Sequence, residues 1–170
     1  SSDVCSSDLA AELRRWNIEV DDSAGQPLAD TPPATLLRTL VAAVDSSFAP
    51  VDLLALLKHP LCSLGLARGD LLDAARRLDR KCLRGLKPEP GLKVLQAKVA
   101  ATKFGEDADR QRVTDLVERL AIATQPLVAC MAEEATPAAL LEATLATAEV
   151  LCPAEALWSG EAGEALADAL

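Results

Sequence analysis

Apolar positions recur along most of the chain at helical spacing. Leu36, Leu37, Leu40, Val41 and Val44 form one stripe and predict a helix that begins near Pro33 or Ala34. Thr31 stands where an N-cap belongs, and proline is tolerated in a first turn. Ala49 and Pro50 restart the chain. Val51 to Lys58 reads as a short leucine-rich helix that His59 and Pro60 end. Asp70 precedes a longer helix, Leu71 to Leu83, with Leu71, Ala75, Leu78 and Cys82 on one face. Gly85, Pro88 and Pro90 close it. Gly91 to Phe104 is a further helix, ended by Gly105. Asp107 to Met131 is long and periodic, with Val113, Leu116, Val117 and Leu120 on its stripe; Pro126 either kinks it or splits it in two. Thr136 and Pro137 open a helix that runs to about Leu151, where Cys152 and Pro153 break it. Two short helical pieces follow, around Trp158 and after Gly160.

The N-terminal end reads differently. Ala10 to Trp16 is the end of an amphipathic helix, stopped at Asn17. Ile18, Glu19 and Val20 alternate as in one short strand, and Asp21 to Pro33 is dense in turn formers. A lone strand is not stable by itself, so this one is expected to pair with a sheet supplied by chain outside this sequence. The expected fold class is mostly α, a helical bundle with one short N-terminal edge strand. No repeat of fixed period stands out.

Composition narrows the function classes. The 170 residues are 50% hydrophobic and 25% charged, which excludes wholesale disorder. No apolar run approaches the ~20 residues of a membrane helix, so no membrane partner is expected. The net charge of −9 argues against nucleic-acid binding by bulk charge.

That total hides a segregation. Residues 76–103 carry nine basic and two acidic groups, whereas 104–170 carry three basic and thirteen acidic. Arg77, Arg80, Lys81 and Arg84 fall at i, i+3, i+4 and i+7, one face of an α-helix. Arg76, Arg77, Arg80, Lys81, Arg84 and Lys87 are therefore the candidate DNA-backbone contacts. The other reading pairs this block with the acidic C-terminal helices. No aromatic lies among these residues to stack a base, which restricts the functional reading to phosphates.

Catalytic signatures are missing from the sequence. There is no GxxxxGK[ST] phosphate loop. The single histidine, His59, sits at a helix end, where it reads as a cap or packing residue. Asp21-Asp22 and Glu133-Glu134 read as solvated pairs. Cys62, Cys82, Cys130 and Cys152 lack the close-spaced pairs of a zinc or iron–sulfur site and read as small buried apolar side chains, in keeping with a reducing cytoplasm. No catalytic, cofactor or metal residue is assigned to the segment.

Two resemblances add to this reading. Ser1 to Leu9, SSDVCSSDL, resembles residue for residue the translation of a common short-read sequencing adapter. That implies an artefactual start, a Cys5 that is not a native thiol, and a native frame that resumes near Ala10. LAAELRRWNIEVDDSAGQPLADTPPATLLRTLVAA, FAPVDLLALLKHPLCSLGL, LDRKCLRGLKPEPGL and ALWSGEAGEAL resemble the middle of AddB subunits of AddAB-type helicase–nucleases, in their alphaproteobacterial form.

The layout is also similar to the second motor domain of superfamily 1 helicases. There a helix, a short strand and a loop lead into a helical insertion; LALLKHP (Leu54 to Pro60) looks like the start of that insertion. Asn17 stands where that pattern often has Gly. The resemblance implies three parts: 1–9 as adapter, 10–33 as the end of a motor-like αβ segment, and 34–170 as an insertion-like region incomplete at its C-terminus. It implies a cytoplasmic, non-catalytic section of a DNA double-strand break repair complex, with an AddA-like subunit and DNA as partners. The ATP-dependent helicase and nuclease chemistry, and an iron–sulfur cluster, would belong to the parent protein elsewhere. The alternative is a freestanding helical protein–protein interaction module.

Overall fold

Proline sets three of the helix starts. α1 (Pro32–Asp45), α2 (Pro50–Lys58) and α6 (Pro137–Leu151) each carry proline in the first turn, where its missing N–H costs nothing. Between them lie α3 (Arg68–Leu78), α4 (Leu92–Ala101) and α5 (Asp107–Met131). α7 (Ala154–Trp158) and α8 (Gly160–Ala169) close the chain. The structure is a computed structural model and describes Leu13, Arg15, Trp16 and residues 27–84 and 90–170. Among the described residues the architecture is all-α. The expected strand at Ile18 to Val20 and the stretch read as adapter lie outside the described residues, as do Gly85 and Pro88.

α5 is the central element, packed against α6, α4 and α3. α1 rests on α2 and α6, and α8 returns onto α1. One hydrophobic cluster runs through the bundle. Leu36, Leu40, Leu53, Leu78, Leu120 and Leu151 in it are fully buried, each contributing roughly 1.5–3 kcal/mol of transfer free energy. The expected faces are largely those that pack: Leu71, Ala75, Leu78 and Cys82 are all buried, as are Val113, Leu116, Val117 and Leu120. On α1 the stripe divides. Leu36, Leu40 and Val44 enter the core, while Leu37 and Val41 stay half-exposed.

Local chemistry moves several expected boundaries. Thr31 does not cap α1 with its side chain; its hydroxyl donates back to the Leu28 carbonyl at 2.7 Å. Thr136 does cap α6, accepting from the Ala139 N–H at 3.2 Å. The α-helix of α3 stops at Leu78, not Leu83, and Asp79–Leu83 continue as a π-turn. Cys82 and Leu83, on this wider turn, are both buried. α4 ends at Ala101, before the expected Phe104, because Thr102 takes an extended backbone. α5 runs unbroken through Pro126. Ile122, whose carbonyl has no Pro126 N–H to accept, shares the exposed side of the helix with it. At the C-terminal end, Gly163 lets α8 approach α7: a Cβ there would lie 2.5 Å from the Trp158 carbonyl carbon.

Candidate nucleic-acid interface

The basic segment is built on the end of α3, the π-turn and α4. α4 packs on the π-turn, where the buried Cys82 thiol lies 3.8 Å from the Thr102 hydroxyl at the end of α4. Lys98 of α4 is close enough to this thiol to favour its ionised form. Burial outweighs that and raises the Cys82 pKa. Two stretches of basic sequence are thus neighbours in the fold.

The six candidate residues separate into three groups. Arg77 is bound into the fold. Its Nε donates to Asp73 Oδ2 at 2.8 Å, and its Nη1 pairs with Asp109 of α5. Arg112 completes the network, 3.7 Å from Asp109 and 4.0 Å from Asp73. The hydrogen bond from Arg77 holds the Asp73 carboxyl below its usual range, and the same bond raises the Arg77 pKa. Arg77 is a joint between α3 and α5, not a face open to a ligand.

Arg84 leaves the helix altogether. Its backbone is extended after the π-turn, its N–H reaches back to the Asp79 carbonyl at 3.2 Å, and its guanidinium donates to Asp79 Oδ2 at 3.1 Å. The shared face expected for Arg77, Arg80, Lys81 and Arg84 is therefore not formed: the π-turn changes the angular spacing and ends the helix. Arg76, Arg80 and Lys81 are exposed and make no ion pair among the described residues. Lys87 lies outside the described residues.

The alternative pairing with the acidic end has one instance among the described residues, Arg77 with Asp109. The carboxylates of α6, α7 and α8 make no ion pair with residues 76–103 there.

His59 occupies a second polar corner. Its half-buried ring places Nε2 3.1 Å from the Thr35 hydroxyl, and Nδ1 accepts the Leu61 N–H at 3.3 Å. These bonds suit the neutral ring protonated at Nε2. Burial, then the Arg68 charge, lower its pKa. Arg68 itself donates to the carbonyls of Lys58, His59 and Cys62, covering the C-terminal end of α2. Sequence reasoning missed Arg68, because the carbonyls it meets stand six to ten residues away across a turn.

Cys62, Cys82 and Cys152 are buried and Cys130 is half-buried. Burial pushes the Cys62 thiol up to about 12. Among the described residues no three His, Cys, Asp or Glu side chains gather into a group that could hold a metal ion. No helix there is long and apolar enough to cross a membrane. No protein-family profile, curated protein or solved structure matches the chain.

Proposed function

We propose that this chain is a non-catalytic helical section of an AddB-like subunit of a break-repair helicase–nuclease. In this reading it scaffolds the complex beside an AddA-like subunit, and Arg76, Arg80 and Lys81 contact the DNA backbone. The observation that carries the DNA contact is the division of the basic segment. Arg77 fixes the end of α3 to α5, and next to that joint Arg76, Arg80 and Lys81 stand exposed and make no ion pair among the described residues. Exposed cations beside a fixed joint are open to phosphate oxygens. The sequence resemblance alone carries the parentage. The iron–sulfur cluster and the nuclease lie, in this reading, in other parts of the parent.

Binding of the full chain to a short fluorescent duplex, followed by anisotropy across a salt series, tests the contact. Arg80→Glu and Lys81→Glu should weaken binding, and each lost phosphate contact should lower the log–log salt slope by ~0.9. Unchanged affinity and slope would remove the DNA contact. Sequencing the source locus through both ends of the frame tests the parentage separately; continuation into nuclease carboxylates and clustered cysteines supports it. The second reading, a freestanding interaction module, is favoured by the single hydrophobic cluster that runs from α1 to α7. It requires the chain to melt alone in one cooperative transition.

A further inference from the structure

The end of α1, the start of α4 and the C-terminal half of α5 line a cavity of about 500 Å³. That is the size of a small-molecule site. Its floor is apolar, made by Val44, Phe48, Leu92 and Val128, and it opens to solvent beside the exposed Lys93, Val94 and Gln125. Ser47 and Phe48 form one wall in a left-handed backbone, φ 53° and 60°, which residues with a side chain seldom adopt. Two hydrogen bonds hold it there. The Phe48 N–H donates to the Ala43 carbonyl at 2.6 Å, and the Ser47 carbonyl accepts the Gly91 N–H at 2.8 Å. The second bond ties the segment after α1 to the start of α4, so two walls of the cavity are fixed to each other.

The charge in the lining has one sign. Among the described residues Lys93 is the sole charged side chain that lines the cavity; it is exposed and makes no ion pair there. No carboxylate stands in the lining to compete for it. The start of α4 adds to the same sign, since Gly91 supplies no side-chain cap and the first turn holds no acid to offset the positive end of the helix dipole. Gln96 and Gln125 contribute neutral polar groups, and their side chains make no hydrogen bond among the described residues. The cavity thus pairs an apolar floor with a cation at its mouth.

We propose that this cavity binds a small amphipathic carboxylate, with its aliphatic body on Val44, Phe48, Leu92 and Val128 and its carboxylate at Lys93. Contact with the floor supplies most of the affinity, and the lone cation selects the head group. The inference goes beyond the DNA-contact reading and does not depend on it, since Arg76, Arg80 and Lys81 line no part of this cavity.

The test is a methyl-NMR titration of the full chain, with leucine and valine labelled, against octanoate, octanol and octylammonium. Each probe is kept below the concentration at which it self-associates. Octanoate should shift the methyls of Val44, Leu92 and Val128 to saturation. Octanol has the same body without the charge and should bind the same methyls ~2- to 5-fold more weakly, the range of one exposed ion pair. Octylammonium should bind more weakly still. Lys93→Gln, an exposed change that spares the core, should bring octanoate to the level of octanol and leave octanol unchanged. Ala121→Leu, which puts a larger side chain into the lining, should weaken octanoate by about 10-fold or more. Equal or tighter binding of octanol or octylammonium overturns the proposal, as does octanoate binding that Lys93→Gln leaves unchanged. Shifts that do not saturate, or that centre on other methyls, overturn it too.

Discussion

Two arginines hold helices together here, and they do so against different partners. Arg68 donates to neutral carbonyls at the end of α2, next to the ring of His59. Arg77 donates to carboxylates, and joins α3 to α5 through Asp73 and Asp109. The first joint completes backbone hydrogen bonds that a helix end leaves open. The second is a small ion network whose strength follows the charge state of its acids. Similar side chains thus make one corner that acid reaches through its histidine and another that acid reaches through its carboxylates.

The largest expected effect lies at the carbonyl joint. Arg68→Ala removes the donor shared by Lys58, His59 and Cys62 and should cost about 1 kcal/mol, a modest net value for charged hydrogen bonds at an exposed side chain. Thermal unfolding should then shift down by ~2–4 °C.

Arg77→Gln should lower stability at neutral pH by less, and this loss should disappear in acid. The depressed Asp73 carboxyl contributes its full stabilisation above its ordinary value of 3.8 and loses it as pH falls through the folded-state value. Urea midpoints of parent and variant should therefore differ at neutral pH and converge in acid. A difference that persists in acid would mean that Arg77 acts through packing instead of charge.

His59 should give the smallest effect, in a different window. Its folded-state pKa is lowered, so its neutral hydrogen bonds contribute fully above 6.5. The contribution falls as pH drops below 6.5 through the folded-state value, and is flat beyond it. His59→Gln should abolish that slope in unfolding midpoints measured between about pH 8 and about pH 5.

How much of this was legible in sequence depended on whether a residue's partner was local. The helix starts at Pro50 and Pro137, the cap at Thr136 and the buried faces of α3 and α5 follow from spacing within one element. The π-turn was not legible, because Leu78 and Cys82 sit at the i, i+4 spacing of a regular helix. Helical-wheel arithmetic therefore placed Arg84 beside Arg77. The fate of Arg77 was legible only as an alternative: pairing of the basic block with acidic helices was left open, but Asp109, 32 residues away, could not be singled out as the partner. Nor could the stripe on α1 reveal that Leu37 and Val41 would stay half-exposed, since that depends on where α6 lies.

The Leu151 carbonyl accepts the N–H groups of Ser63 and Leu64 at 2.8 and 3.0 Å, and the Ser63 hydroxyl as well, across 88 residues of sequence. On the ribosome, the turn after α2 is therefore made long before its acceptor exists. At ordinary elongation rates the wait is about 4–18 s, far longer than a helix needs to form. The Ser63 and Leu64 N–H groups spend that interval without their carbonyl acceptor, which makes this corner the natural place for a nascent chain to need protection.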